Sequence, residues 1–287
     1  MNPLMCALLD RIPLVPIDGF PKIISSGHRR SVLLKTDTHP GRCFSLKGAG
    51  WVHGPPWAFA SPKDAQLYFG LMDRVSGERE MKVSKWFEQN AIHSTRVRFL
   101  LPLNKYELSL IGLKPDVKFK NGTRVNPVLL ITESQAAYRV DDYNPRSHEE
   151  WLKEFSQSNA GSGNSEEGLL SCLNEFAGKL AKSINTYQFL GASNDTLSPD
   201  NVTVAGEITD YEWIYVPGIP LPDGTTDIML YERQLKEAIY YVDILLSLAE
   251  GLCMNLSIRE ISEIGLKFIQ ESNTGFAEGL RQLIKSN

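Results

Sequence analysis

One irregular, acidic segment, residues 195–230, carries the residues best suited to chemistry. It contains LSPDNVTVAGEITDYEW, in which Asp200 and Asn201 are followed by Asp210, nine positions after the asparagine. Two oxygen donors on adjoining turns suit Mg²⁺, which also keeps water and phosphate as ligands. Asp200 could accept a proton from a hydroxyl nucleophile. Such residues also cap ordinary turns, so the pattern predicts either a magnesium site or turn capping.

A second candidate lies earlier in the chain, where Lys47 ends a predicted strand and precedes the stretch GAG. A lysine there can reach nucleotide phosphates, and glycines such as Gly48 and Gly50 let the backbone approach them. Glu80 lies on a helix predicted over residues 78–91 and could pair with Lys47. A surface lysine and a solvated glutamate are the alternative interpretation.

Hydrophobic periodicity divides the chain into a β-rich first part and a helical second part. Period-two alternation predicts strands, and 3.6-residue periodicity predicts amphipathic helices. In the first part, strands are predicted at residues 31–36, 42–47, 95–103 and 127–134, and helices at 64–75 and 78–91. Loop composition places a boundary near residues 135–165. The helices predicted after it are 166–188, 231–253, 257–271 and 275–285.

This order predicts an α+β chain with a two-lobed protein-kinase-like fold. In that arrangement a small β-rich lobe precedes a larger helical lobe with an irregular acidic loop. We assign residues 1–27 to an N-terminal extension, 28–140 to a β-rich N-lobe that binds nucleotide phosphate, and 141–287 to a helical C-lobe with the catalytic and metal-binding loop. An alternating parallel βαβ sheet would contradict this assignment.

Composition excludes several classes of function. The net charge is −4 and the pI about 5.8, so no basic field favours nucleic-acid binding. No apolar run reaches the roughly 18 residues that would cross a membrane. The four cysteines are far apart and form no CxxC pair, which argues against a zinc or redox site. They predict buried free thiols in a reducing, cytoplasmic compartment.

Several of these segments together resemble the selenoprotein O family of protein adenylyltransferases. Members carry a strand ending in LKGxG, a helix with an Arg-Glu pair, a TRAL strand, an NTDN loop and a DYG segment. The matching segments are SLKGAG (45–50), GEREMKVSKWF (77–87), STRVRFL (94–100) and SPDNVTVAGEITDYE (198–212), followed by a helix over 227–252. The segments occur in the same order as in the family, and the resemblance runs from about residue 28 to 252.

The resemblance implies a kinase-like protein that binds ATP with Mg²⁺ and transfers AMP to Ser, Thr or Tyr hydroxyls of a protein. By the same resemblance Lys47 contacts phosphate, and Glu80 holds Lys47. Asn201 and Asp210 bind Mg²⁺, and Asp200 is the catalytic base. Arg139, in AAYRVDD, corresponds to an arginine that holds the phosphates of the flipped nucleotide.

Several departures from the family pattern keep two other functions open. Glu133 stands near the position of a second phosphate-binding arginine, and an acid there would repel phosphate. The first alternative is therefore kinase-type transfer of the γ-phosphoryl group to a protein or a small molecule. The second is a non-catalytic nucleotide-binding module of the pseudokinase type.

The hypothesis leads to two expectations about geometry and one about a variant. Lys47 and Glu80 are expected to approach within about 4 Å. Lys47→Ala is expected to abolish turnover and leave the fold intact. Asn201 and Asp210 are expected to converge in the cleft between the lobes, with Asp200 facing the acceptor hydroxyl.

Overall fold

The computed structural model describes most of the chain. The described residues are 22–25, 31–35, 42–48, 72–110, 126–143, 148–159, 165–225, 229–269 and 271–287. The chain divides into two compact units. The first, called the sheet unit, comprises Met1–Met81 and Arg96–Ala137, and the second, called the helical unit, comprises Lys82–Thr95 and Tyr138–Asn287.

The described part of the sheet unit contains six antiparallel strands. They are β1 (Lys22–Ser25), β2 (Ser31–Lys35), β3 (Cys43–Lys47), β4 (Met72–Asp73), β5 (Arg96–Pro102) and β6 (Pro127–Ser134). Their order is β1-β2-β3-β6-β4, and β5 also pairs with β6. Leu129, Leu130 and Ile131 of β6 are fully buried, as a short continuous apolar run predicts. The expected antiparallel sheet is confirmed.

Helix α1 (Arg74–Gln89) covers most of the helix that the sequence predicted at 78–91, and it begins four residues earlier than predicted. Its first turn is fixed by Asp73, whose carboxylate accepts a hydrogen bond from the N–H of Val75 at 2.9 Å. Residues 72–73 form β4 and α1 begins at Arg74, so the predicted end of the first helix, at residues 72–75, is wrong. Most of the segment 64–75 lies outside the described residues.

Two helices lie where the sequence predicted none. They are α2 (Lys105–Leu110) and α3 (His148–Ser158). The start of α2 is closed by Asn104 and Glu107, because the backbone N–H of each donates to the side chain of the other, at 2.7 and 2.9 Å. Trp151 and Phe155 bury one face of α3, so this part of the predicted boundary loop belongs to the helical core.

The helical unit contains the other long helices. They are α4 (Glu166–Phe189), α5 (Leu230–Gly251), α6 (Ile258–Lys267) and α7 (Gly275–Ser286). Hydroxyl side chains cap three of them: Ser165, Ser257 and Thr274 each accept a hydrogen bond from an N–H in the first turn. The four helices predicted from the sequence are present, and α6 ends a few residues earlier than expected. The α+β class, with a β-rich first part and a helical second part, is therefore confirmed.

Short elements organise the segment between α4 and α5. Strands β7 (Ser193–Asn194) and β8 (Ile214–Tyr215) pair with each other, and a single 3₁₀ turn spans Pro199–Asn201. An antiparallel bridge joins Val202 to Ile208. The predicted irregular segment thus consists of tight turns and one small hairpin. We use the word hairpin for residues 202–208.

The cysteines differ in their surroundings. Cys43 in β3 and Cys172 in α4 are buried free thiols, as predicted. Cys253 follows the end of α5 and is exposed, so the prediction of burial is wrong there. Among the described helices, none combines the length and hydropathy needed to cross a membrane.

Candidate functional site

Lys47 and Glu80 form a buried ion pair in the sheet unit. Lys47 is the last residue of β3, and Glu80 lies in the second turn of α1. The Lys47 Nζ atom is 2.7 Å from Oε1 of Glu80, and the two side chains are 13% and 2% exposed. The predicted approach of these residues is confirmed. Their contact with a nucleotide phosphate stays a prediction.

The burial of this pair changes one expectation. We expected Lys47→Ala to leave the fold intact, because a phosphate-facing lysine contributes little to packing. A carboxylate as buried as that of Glu80 is costly once an adjacent cation is removed. A loss of activity in Lys47→Ala would therefore have to be separated from a loss of stability.

Gly48 adopts a backbone conformation that favours glycine. Its φ is +90°, in the left-handed region. A Cβ at this position would lie 2.7 Å from the carbonyl oxygen of Val128 and 3.0 Å from Cβ of Met72. The glycine is therefore required by the packing of the chain after β3. Its predicted approach to phosphate is untested, and Gly50 lies outside the described residues.

Glu133 is neutralised by two arginines. It lies on β6, where Oε2 is 2.6 Å from Nε of Arg98 and Oε1 is 3.3 Å from a guanidinium nitrogen of Arg42. The sequence predicts that Glu133 repels phosphate as an uncompensated negative charge. Two adjacent guanidinium groups remove most of that repulsion. Glu133 is therefore weak evidence against binding of a phosphate nearby.

Asn201 and Asp210 lie at the same, open end of the small hairpin in the helical unit. The N–H of Thr209 donates to the carbonyl of Asn201 at 2.9 Å, and Asp210 is the next residue. At the other end, Gly206 has a φ of +82° and its N–H donates to Thr203 at 2.8 Å, which closes the turn. The nine-residue spacing thus reflects a hairpin that brings the backbones of both predicted ligands together.

Two further segments pair with this hairpin, one on each side. Thr95 donates its N–H to Ile208 at 3.0 Å, and Ile208 donates to His93 at 3.2 Å. On the other strand of the hairpin, the carbonyl of Val202 accepts a hydrogen bond from the N–H of Val140 at 3.0 Å. The hairpin is therefore held between residues 93–95 and residues 138–140, which fixes the position of its open end.

Side-chain hydrogen bonds shape the turn before the hairpin. The amide nitrogen of Asn201 donates to the carbonyl of Thr196 at 2.7 Å, so the orientation of the amide group is fixed. Asp200 accepts a hydrogen bond from the Ser198 hydroxyl. The Arg139 guanidinium donates to the backbone carbonyl of Asp200. Arg139 therefore braces this turn, and its predicted contact with phosphate is untested.

The chain turns sharply at Asp210. Its φ is +56°, a left-handed conformation that Asp tolerates better than most residues. Tyr211 then enters the core, and its hydroxyl donates to the carbonyl of Thr95. Carboxylate oxygens of Asp210 and Glu212 lie within 4.8 Å of one another. This spacing would let a cation contact both groups, which fits the predicted metal site.

Neighbouring carboxylates make the electrostatic potential near Asp200 negative. Loss of hydration, together with the charges of Asp142 and Asp200, raises the pKa of Asp141 to about 6, although Arg139 opposes the shift. A region in which carboxylates disfavour each other's ionisation is one that a cation would stabilise. This is a second observation in keeping with a cation near the turn.

Two features near the candidate site were not predicted from the sequence. In kinases the catalytic loop reads HRDxxxxN, and its aspartate lies five positions before the metal-binding asparagine. Five positions before Asn201 stands Thr196, and this spacing could have shown that the aspartate is missing there.

The second feature is the pair of polar residues Glu237 and Gln234, which lie on the buried face of α5. Polar residues on an apolar helical face were the signal for that second feature.

Comparisons with known proteins give structural neighbours only. The sequence matches no family model and no curated protein. A ROP18 kinase domain, solved in complex with AMP-PNP and sucrose, is 12% identical, with a TM-score of 0.44 over 99% of this chain and 93% of that one. The Neurospora crassa PAN3 pseudokinase, a mutant form, is 13% identical, with a TM-score of 0.38 over 98% of this chain and 62% of that one.

Both TM-scores are below 0.5, so the elements themselves must identify the fold. In the described residues, strand β3 of an antiparallel sheet carries a lysine, and helix α1 supplies the paired glutamate. A helical unit follows, with an asparagine and an aspartate at the open end of one hairpin. This is the order of elements in a kinase-like fold.

Proposed function

We propose that this chain binds ATP with Mg²⁺ and transfers AMP to a hydroxyl group, that of a protein Ser, Thr or Tyr or of a small molecule. The buried Lys47–Glu80 ion pair carries the proposal, since kinase-like proteins use such a pair to hold nucleotide phosphates. Burial restricts the lysine to one position, as a phosphate-binding group requires. Among the open functions, AMP transfer is preferred because of the family resemblance at Lys47, Glu80, Asn201 and Asp210.

Each candidate residue has a role in this proposal. Lys47 donates hydrogen bonds to a phosphate oxygen. Asn201 and Asp210 would hold Mg²⁺, which would offset negative charge as the hydroxyl bonds to the α-phosphorus and the bond to the pyrophosphate leaving group breaks. Asp200 accepts the proton of the attacking hydroxyl, and the Ser198 hydroxyl orients its carboxylate. The hairpin geometry and the Asp210–Glu212 spacing support the metal site.

Labelled nucleotides test the reaction. The protein is incubated with Mg²⁺ and a mixture of acceptor proteins, with ATP labelled at the α or the γ position. AMP transfer leaves label on the acceptor only from the α position. Label retained only from the γ position would mean kinase-type transfer and would contradict the proposal.

Calorimetric titration tests the metal site separately. We expect Asp210→Ala to weaken Mg·ATP binding by at least about 100-fold, because loss of a direct ligand costs more than loss of a supporting group. Asp223→Ala makes the same charge change in an exposed turn and serves as the control. Equal affinities of wild type and Asp210→Ala would end the metal-site hypothesis.

A second function, nucleotide binding without transfer, is favoured by Thr196. A threonine hydroxyl cannot act as a base near neutral pH, and this one donates to Oδ1 of Asn194 at 3.0 Å. The neighbouring Asp195 is paired with Arg233 at 2.9 Å. If the protein binds Mg·ATP and transfers neither label, this second function is correct and Asp200 does not act as a base.

A further inference from the structure

Three side chains on one face of α5 hold the chain just before the candidate site. Gln234 donates to the carbonyl of Ala192 at 3.0 Å. Glu237 accepts from the N–H of Asn194 at 2.8 Å, and a guanidinium nitrogen of Arg233 lies 2.9 Å from the carboxylate of Asp195. One helical surface thus fixes the backbone or side chains of the segment that leads into the Pro199–Asn201 turn.

A continuous series of hydrogen bonds leads from Glu237 to Asn201. Glu237 holds the backbone of Asn194. Oδ1 of Asn194 accepts from the N–H of Thr196 at 2.9 Å and from its hydroxyl at 3.0 Å. The carbonyl of Thr196 then accepts from the amide nitrogen of Asn201 at 2.7 Å. Each bond orients the next residue, and the last one turns the amide of the proposed metal ligand.

Glu237 also contacts the aromatic core next to Asp210. It is fully buried and accepts a hydrogen bond from the Tyr187 hydroxyl. The Tyr187 ring stacks on Phe87 with a centroid separation of 5.9 Å, and Phe87 meets the Tyr211 ring edge-on at 5.6 Å. Tyr211 is the residue after Asp210, so one buried carboxyl is connected to both sides of the proposed metal site.

We propose that Glu237 is a positioning residue, which sets the orientation of the Asn201 amide through Asn194 and Thr196. This inference rests on the proposed function only in taking Asn201 as a metal ligand. Glu237 does not touch the nucleotide or the metal in this proposal. It acts by fixing a backbone N–H 43 positions away in sequence.

The chemistry of the carboxyl supplies a conservative test variant. Burial raises the pKa of Glu237 to about 8, despite hydrogen bonds from Tyr187 and Asn194 and the nearby charge of Arg233. The group is therefore mostly neutral at pH 7. Glutamine is neutral, has nearly the same shape and keeps an acceptor for the Asn194 N–H. Glu237→Gln is expected to preserve the positioning, and Glu237→Ala to remove it.

Two measurements test the proposal, and only one depends on nucleotide binding. Amide hydrogen exchange of residues 192–201 is followed in wild type, Glu237→Gln, Glu237→Ala and Asn194→Ala. Mg·ATP affinity is measured in the same four proteins. Asp243→Ala, on the exposed face of α5, is the control for changes to the helix. Asn194→Ala breaks the second link and leaves Glu237 in place, so it also serves if Glu237→Ala does not fold.

We expect fast exchange in this segment and a loss of affinity of about 10- to 100-fold for Glu237→Ala and Asn194→Ala, as for groups that support a metal ligand. Glu237→Gln and Asp243→Ala should match wild type in both measurements. Unchanged exchange and affinity in Asn194→Ala would overturn the inference. Failure of wild type to bind Mg·ATP would contradict the proposed function, while hydrogen exchange would still decide the positioning of the segment.

Discussion

The Lys47–Glu80 pair and the turn around Asn201 are held in different ways. The pair joins the end of one strand to the adjacent helix by a short ion pair with low exposure. The turn is fixed by hydrogen bonds from three separate elements, namely α5, residues 93–95 and residues 138–140. Loss of one partner should therefore damage the pair locally. The turn should instead respond to changes at distant buried groups.

The largest expected effect concerns the buried pair. Lys47→Met removes a cation next to a carboxylate that is 2% exposed, so we expect a loss of about 3 kcal/mol in the free energy of unfolding. The double variant Lys47→Met/Glu80→Gln should recover much of that loss, because it also removes the buried charge. Urea unfolding gives each value.

A surface pair on the same helix supplies the control. Arg74 and Glu78 are 2.6 Å apart, but both side chains are exposed. Arg74→Met should therefore lose less than about 0.5 kcal/mol. If Lys47→Met and Arg74→Met lose similar free energies of unfolding, burial does not make the Lys47–Glu80 pair stronger than the surface pair.

The same contrast explains what could be predicted from the sequence. Strand β3 and the long helices follow from local periodicity, whereas the Lys47–Glu80 pair was predicted from the resemblance to a kinase-like family. The nine-residue Asn201–Asp210 spacing predicted two adjoining turns, and the structure supplies the hairpin between them.

Contacts that depend on tertiary packing could not be predicted. Glu237 meets Asn194 only because α5 packs beside the end of α4. Arg98 and Arg42 neutralise Glu133 only because β5 and the start of β3 flank β6. The 135–165 segment has loop composition in its second half, yet Trp151 and Phe155 make its middle a core helix. The composition of a segment does not show which distant residues will contact it in the folded protein.

The next effect concerns two glycines, one in each unit. Gly48 and Gly218 have φ values of +90° and +80°. A Cβ at Gly218 would meet nothing within 4 Å, whereas one at Gly48 would lie 2.7 Å from a backbone carbonyl oxygen. We expect Gly218→Ala to lose about 1 kcal/mol from the left-handed conformation alone. Gly48→Ala should lose roughly 2 kcal/mol or more, since the backbone must also shift.

Thermal or urea unfolding of both alanine variants checks this prediction. The two substitutions are chemically identical, so unfolded-state effects largely cancel in the difference. A Gly48→Ala protein as stable as Gly218→Ala would show that the chain after β3 yields easily. Such a result would contradict the conclusion that packing after β3 requires glycine at position 48.

The smallest effect, per pH unit, concerns the buried carboxyl behind the turn. Burial raises the pKa of Glu237 from 4.5 to about 8 in the folded protein. Between these values the folded protein retains a proton that the unfolded chain has released. Its stabilising effect is therefore complete below about pH 4.5 and decreases as the pH rises towards 8. The groups that face this carboxyl are Tyr187, whose pKa is raised well above its usual value, and Arg233.

Glu237→Gln resembles the protonated carboxyl and does not titrate, so it isolates this contribution. The stability of wild type relative to Glu237→Gln should fall by about 1.4 kcal/mol per pH unit between pH 6 and 7.5. Urea unfolding of both proteins at several pH values measures the difference, and groups common to both, such as Asp141, cancel. Parallel stability profiles across this range would mean that Glu237 is already ionised in the folded protein. The turn would then be anchored by a buried charge, and its support would depend on Arg233 in place of a neutral hydrogen-bonded carboxyl.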